Sequence, residues 1–156
     1  GARVTYTPKA SDRVGNSSSA APKSFQVGGY LKYGVGTGGA NVLALDGSGT
    51  FGIGQVATFV TTGCQPSTAG GLLWAAGRGN FPNFLGFGGT VLVDLATLGD
   101  GAPGSSDPGG TMSIPLAIPL VPGFVGATLD FQTLAIDLTL PAQLAFSNGV
   151  EATILP

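Results

Sequence analysis

The chain has 156 residues, among them 28 Gly and 11 Pro, with a formal net charge of −2, no histidine and a single cysteine. Without histidine, Ser-His-Asp and Cys-His nucleophile systems and His-based metal sites are excluded, and one cysteine cannot close an internal disulfide. The length suits one domain that buries roughly 70 % of its unfolded surface.

The Gly- and Pro-rich composition, with β-branched and aromatic residues in short runs, favours many short strands joined by turns. No window keeps an i, i+3, i+4, i+7 apolar pattern free of Gly and Pro for three turns, so no long helix is expected. Charge is segregated. Arg3, Lys9, Arg13, Lys23 and Lys32 are opposed by Asp12 alone in the first 32 positions. Beyond them Arg78 stands against Asp46, Asp94, Asp100, Asp107, Asp130, Asp137 and Glu151, so a head of +4 precedes a body of −6. The acidic body argues against nucleic-acid binding, which needs clustered cations. The basic head reads either as a solvated tail or as a segment that docks on an acidic surface. No signal peptide and no starting Met are present, and Gly1–Ala2 reads as a processed end or an expression scar. The most apolar region, 112–131, is broken by Pro115, Pro119, Pro122, Gly123 and Gly126, so no membrane span is expected.

In chain order, RVTYTP (3–8) predicts a short strand with Val4 and Tyr6 on one face. The polar, small residues 9–24 have linker composition, so residues 1–24 form an extended arm before a single domain at 25–156. Phe25, Val27, Tyr30 and Leu31 suggest a strand interrupted at Gly28–Gly29. Asp46-Gly-Ser-Gly predicts a turn before a strand at 51–61 with Phe51, Ile53, Ala57 and Phe59 in phase. GLLWAAG (71–77) is a short buried run, 78–89 is turn-rich with three phenylalanines, and TVLVDL (90–95) alternates as a strand. Residues 98–110 predict a long surface turn.

In GTMSIPLAIP, Met112, Ile114, Leu116 and Ile118 share one parity, which places them on the buried face of a strand. Pro115 and Pro119 share the other parity and withhold backbone donors on one side, which only an edge strand tolerates. In the next run Ala127, Leu129 and Phe131 are followed out of phase by Leu134 and Ile136, which predicts a β-bulge near Gln132–Thr133. Ser147–Asn148–Gly149 predicts a hairpin turn, with Val150, Ala152 and Ile154 facing in and Glu151 and Thr153 facing out. The sum is an all-β, β-sandwich fold of about nine or ten short strands, Greek-key or jelly-roll in flavour, with an extended N-terminal arm.

From about residue 40 onward the order of TFGIGQVATFVTTG, GGLLWAAG, GGTVLVDLATL, GGTMSIPLAIP, FVGATLDFQTLAID and LAFSNGVEATI resembles a C-terminal all-β module found in secreted proteins of some environmental bacteria. That resemblance implies an extracellular or cell-surface location and no catalytic activity, and it transfers no role to Cys64 or to residues 1–35.

The chemistry available is sparse. Cys64 has no activating base and reads as a small, partly buried residue. The acids sit singly in turns or on outward strand positions, so no carboxylate pair is expected and the chain is not expected to be an enzyme. Asp46 and the loop of Asp100 and Asp107 carry oxygens and glycines, but without the D-x-D-x-D density of a calcium loop they read as ordinary turns, so no metal or other cofactor is expected. Trp74, Tyr30, Tyr33 and NFPNF (80–84) could offer a sugar platform only if exposed. The leading reading is therefore a secreted structural protein that assembles with copies of itself into a fibre or surface layer. In that reading Arg3, Val4 and Tyr6 of the arm add as a strand to a neighbour, and Pro115 and Pro119 restrict where they pair. The second reading is an adhesin or an accessory module that binds polysaccharide.

Overall fold

The computed structural model describes residues 29–156, which build a sandwich of two antiparallel sheets with a small ribbon on one outer face, and before them the backbone of two short antiparallel pairs, Ala2–Tyr6 with Lys23–Val27 and Lys9–Ser11 with Ser17–Ser19. The expected strand at 3–8 forms as Ala2–Tyr6, but residues 9–24 are not a plain linker: Lys9–Ser11 pairs with Ser17–Ser19, and Lys23–Val27, which holds Phe25 and Val27, returns alongside Ala2–Tyr6. Ten strands follow: β1 (Tyr30–Tyr33), β2 (Ala44–Ser48), β3 (Val56–Thr62), β4 (Ala69–Ala75), β5 (Arg78–Phe81), β6 (Val91–Val93), β7 (Ala102–Ser105), β8 (Met112–Ala117), β9 (Thr128–Ile136) and β10 (Leu144–Thr153). The larger sheet has the order β7–β4–β9–β10–β1 and the smaller one β8–β3–β2, while β5 and β6 pair separately. The chain crosses between sheets after β1, β3, β7 and β8. Among the described residues no helix is long and apolar enough to cross a membrane.

Alternation places the core. Ala57, Phe59 and Thr61 of β3 and Met112 and Ile114 of β8, with Ile118 just beyond it, are buried against Leu72, Phe131, Val150 and Ala152 of the larger sheet. Phe59 and Phe131 stack across the two sheets with ring centroids 4.2 Å apart, and Phe51 meets Phe131 edge-on at 5.5 Å. Such pairs add to the burial of aromatic area and fix how the sheets seat on one another. The hydroxyls of Thr61 and Thr133 satisfy each other at 2.8 Å in the same layer, so neither is left unpaired in the core.

A second apolar cluster lies on the opposite face of the larger sheet, where Ala75 and Phe146 pack with Val91 and Val93 of the ribbon. Gln132 ties the ribbon down. It is fully buried, its Oε1 accepts from the Leu92 N–H at 2.8 Å, and its Nε2 donates to the Thr90 carbonyl at 2.9 Å. The larger sheet is thus apolar on both faces near its centre.

That second cluster corrects the reading of 127–136. Leu129, Phe131, Thr133 and Ala135 keep one parity towards the core, while Leu134 packs in the outer cluster and Ile136 is 39 % exposed. The strand does not change face, because a face covered by the ribbon also accepts leucine. A register shift does occur where it was expected: Gln132 pairs with Gly149, but Leu134 pairs with Phe146. Two steps on β9 match three on β10, so the extra residue sits on β10 at Ser147–Asn148. It turns Phe146 to the outer cluster while Ala145, Val150 and Ala152 all face the core.

The expected hairpin at Ser147–Asn148–Gly149 is therefore a bulge inside a ten-residue strand. Two further turns are also displaced. β2 runs through Asp46 to Ser48, and the chain reverses later, with Gly49 at φ 79° and Gly54 at φ 70°. The stretch 98–110 is not all turn, since β7 forms within it and edges the larger sheet.

Candidate functional site: the sheet edges and an end groove

A sandwich has four edge strands, and each offers a neighbour a row of backbone donors and acceptors unless something covers it. Three of the four carry a specific device. In β8 the Ile118 N–H donates to the Gln55 carbonyl at 2.9 Å, continuing the register of Met112 with Thr61. Even-numbered N–H groups therefore face β3, and the nitrogens of Pro115 and Pro119 face the open side. The expected edge strand and its donor-poor margin are both present, and Pro115 and Pro119 are exposed. In β7 the Ser106 N–H donates to the Thr68 carbonyl at 2.9 Å, so by the same alternation Pro103 blunts the open margin of the larger sheet.

On the other flank β2 is closed by a side chain. The Leu45 N–H donates to Asn148 Oδ1 at 2.8 Å, and Asn148 Nδ2 donates to the Leu45 carbonyl at 3.1 Å. The next outward donor, the Gly47 N–H, is taken by Asp46 Oδ1 at 2.9 Å. Only β1 lacks such a device among the described residues. Its Lys32, the residue type that commonly guards an edge, is paired with Asp46 at 2.6 Å. Residues 1–28 lead directly into this strand. Arg3, Val4 and Tyr6 lie on the strand Ala2–Tyr6, where they pair with Gln26, Phe25 and Lys23 of the same chain and not with Pro115 or Pro119.

A polar cluster occupies the outer face of the larger sheet. Asp130 and Glu151 are register partners on β9 and β10, so their side chains share one face, contrary to the expectation that the acids stand alone. Arg78 reaches across from β5, with Nη2 2.7 Å from Glu151 Oε2 and Nε 3.6 Å from Asp130 Oδ1. Its guanidinium carbon lies 4.2 Å from the centre of the Tyr33 ring, and the Tyr33 hydroxyl donates to the Leu92 carbonyl at 3.1 Å. Asp130 is 3 % exposed and its Oδ1 has no hydrogen bond. Burial, with help from Glu151, pushes its carboxyl above the usual range, against the opposing pull of Tyr33 and Arg78. Burial also raises the Tyr33 phenol, as does the nearby Asp130 charge. The Arg78 guanidinium loses hydration here, yet Glu151 and Asp130 keep its affinity for a proton above the ordinary value. The arrangement clamps the ribbon to the sheet through two Arg78 N–H groups, on Nε and Nη2, that both donate to Glu151 Oε2, and through a cation–π stack.

The end of the sandwich opposite the start of β1 carries a groove of about 530 Å³. Its walls include Gly36, Thr37 and Val42 after β1, Phe87 after the ribbon's first strand, and Leu140 and Leu144 at the β9–β10 turn. No charged residue lines it. The Thr37 hydroxyl is already engaged by the Phe146 backbone, accepting from its N–H at 3.1 Å. Beside the groove Asp137 receives the Gly39 N–H at 2.7 Å and Gln65 Nε2 at 2.9 Å, which joins three loops at this end.

The other residues singled out from the sequence are taken up by packing. Cys64 is 3 % exposed, and burial pushes its thiol up, away from the reactive thiolate. Asp107 folds its Oδ1 onto the N–H groups of Gly109 and Thr111, the behaviour of an ordinary turn. Among the described residues no three His, Cys, Asp or Glu side chains converge as metal ligands. Trp74 donates to the Asp100 carbonyl at 2.6 Å and packs on the core, Tyr30 packs edge-on to Phe59, and Tyr33 is stacked under Arg78. Asn148 and Gln132 had no signal in the sequence, because a buried amide declares itself only through the backbone groups it meets. No family model matches this chain, and no curated protein or solved structure matches it.

Proposed function

We propose that this chain is a structural subunit of an extracellular fibre or surface layer, joined to copies of itself by addition of the N-terminal arm as a β-strand. The observation that carries the reading is the state of the edges. Two are proline-blunted and one is closed by Asn148, which leaves β1 as the margin able to accept a strand. To add there, the strand Ala2–Tyr6 exchanges its pairing with Lys23–Val27 of its own chain for main-chain hydrogen bonds to the neighbour's β1, with Val4 and Tyr6 on one face.

Charge favours the same pairing. Residues 1–28 hold Arg3, Lys9, Arg13 and Lys23 against Asp12, a net +3, and residues 29–156 hold two bases against seven acids, a net −5. A head-to-tail contact of this kind does not close on itself and so propagates. The extracellular location rests on the resemblance of residues 40–156 to the secreted module.

Electron microscopy and sedimentation of the full chain, beside the chain lacking residues 1–24, test the reading. The full chain should form filaments or large assemblies and the shortened one should remain a soluble monomer. Assemblies of the shortened chain indistinguishable from the full one would sink strand addition. A full chain that stays monomeric at every concentration would sink the structural role.

A further inference from the structure

Three segments meet at the end of the sandwich where β1 begins: 49–56, 118–129 and 152–156, none of which holds an ionisable side chain. Backbone bonds lock them together. The Gly54 N–H donates to the Ile118 carbonyl at 2.9 Å, the Gly126 N–H to the Ile154 carbonyl at 2.8 Å, and the Leu155 N–H to the Phe51 carbonyl at 2.8 Å. Phe51, Ile118 and Ile154 are buried beneath, while the loop between β8 and β9 shows its apolar side chains to solvent. Leu120 is 75 % exposed and Phe124 44 %, and Val121 and Val125 are exposed beside them. An apolar patch of this kind on a held loop marks an interaction site.

We propose that this tip inserts into the interface of an anionic lipid bilayer without spanning it. The backbone suits that place, because polar groups that enter hydrocarbon must be satisfied within the protein. Val121, Phe124, Val125, Gly126 and Ala127 all donate their N–H groups internally, and Pro119 and Pro122 have none. The short 3-10 helix Pro122–Phe124 thus presents apolar side chains with its neighbouring donors already spent. Side-chain chemistry favours lipid over a protein partner. Protein interfaces ring their apolar centre with hydrogen-bonding groups, but residues 114–127 contain no polar side chain at all.

Charge names the kind of lipid. Residues 1–28, net +3, join the body at Gly29, beside Tyr30, which pairs with Ala152. The adjoining Thr153 pairs with Thr128 at the foot of the tip, so the basic segment is tethered at the end that inserts. The acids of the body leave this end free. Asp107 and Asp137 lie at the opposite end, before β8 and after β9, and Asp94 and Asp100 lie between β6 and β7. Asp46 is paired with Lys32, and Asp130 and Glu151 face Arg78. An apolar insertion together with a basic segment is the two-part signal that gives stable binding to an anionic surface. Such an anchor is independent of strand addition, and it gives the subunit a hold on a cell surface that its sheet edges do not.

Flotation of the full chain with vesicles tests this, because fibres pellet whereas vesicles rise. Vesicles of phosphatidylcholine and phosphatidylglycerol in equal parts should carry the chain upward, and vesicles of phosphatidylcholine alone should carry far less. Leu120→Asp with Phe124→Asp should weaken binding about tenfold or more, with the urea midpoint unchanged because both side chains are exposed. Arg3→Gln with Lys9→Gln should remove the preference for phosphatidylglycerol. A polarity-sensitive fluorophore on Val121→Cys should shift to the blue on the vesicles, and the same label on Val42→Cys, beside the groove at the opposite end, should not. Cys64, 3 % exposed, stays unlabelled. No flotation, or flotation that the two aspartates leave unchanged, would overturn the proposal. Equal flotation with both kinds of vesicle would overturn the part given to the basic segment. A label at 121 already shielded without lipid would overturn insertion too, assigning the tip to a second copy if the particle has twice the mass and to the chain's own residues 1–28 if it is a monomer.

Discussion

Asn148 treats Leu45 as a strand partner although the two lie on different sheets: its carboxamide accepts the Leu45 N–H at 2.8 Å and donates to the Leu45 carbonyl at 3.1 Å. An amide side chain has the same donor and acceptor pair as a peptide group, so it can stand in for one residue of a missing neighbour strand. The bulge on β10 turns Asn148 towards the smaller sheet, and the side chain is 103 residues away in sequence from the backbone it caps. Asn148→Ala should leave both Leu45 groups without their partners at a cost of about 1–3 kcal/mol for each unpaired group. Urea unfolding measures the loss, and an unchanged midpoint would mean that water replaces the amide without penalty.

Gly149 is needed for space rather than for its backbone angle. It has no positive φ, but a Cβ there would collide with the Tyr33 ring, its register partner on β1. Gly149→Ala should destabilise by about 1–3 kcal/mol through overpacking. In a Tyr33→Ala background the same change should cost much less. Equal costs in both backgrounds, read from a double-mutant cycle, would point to the backbone instead of the ring.

Pro115 and Pro119 keep two donors off the open margin of β8. Replacing both by Val should leave the monomer folded, since neither nitrogen faces β3, and should promote side-by-side association through the restored edge. Light scattering against concentration reads this. Unchanged scattering up to high concentration would show that the margin is already covered.

Asp137 gives a pH signature. Burial alone would raise its carboxyl, but hydrogen bonds from the Thr139 hydroxyl, the Gly39 and Thr139 N–H groups and the Gln65 amide outweigh it and hold the pKa below the usual value. A carboxyl depressed on folding contributes stability that is complete above the unfolded pKa, about 3.9, and is lost as pH falls through the lower folded value. Asp137→Asn should therefore cost about 1–3 kcal/mol at neutral pH, with the gap closing in strong acid. A gap of constant size across that range would assign the loss to shape instead of charge.

Much of this molecule was legible before any coordinates. Period-two alternation placed Met112, Ile114, Leu129, Phe131, Val150 and Ala152 in one core, and the spacing of Pro115 and Pro119 identified an edge strand and the side it blunts. Those inferences hold because the pleat and the missing proline N–H are local properties of the chain. Sequence could not say that the larger sheet has a second covered face, so Leu134 looked out of phase and the extra residue was placed on β9 instead of β10. Nor could it distinguish Asn148–Gly149 as a turn from the same pair as a bulge whose glycine makes room for Tyr33 and whose amide caps Leu45. The pairing of Asp130 with Glu151 around Arg78 was hidden for the same reason. Each of these depends on which distant strand comes to lie alongside, and that is decided by the packing of the whole sandwich rather than by any one stretch of it.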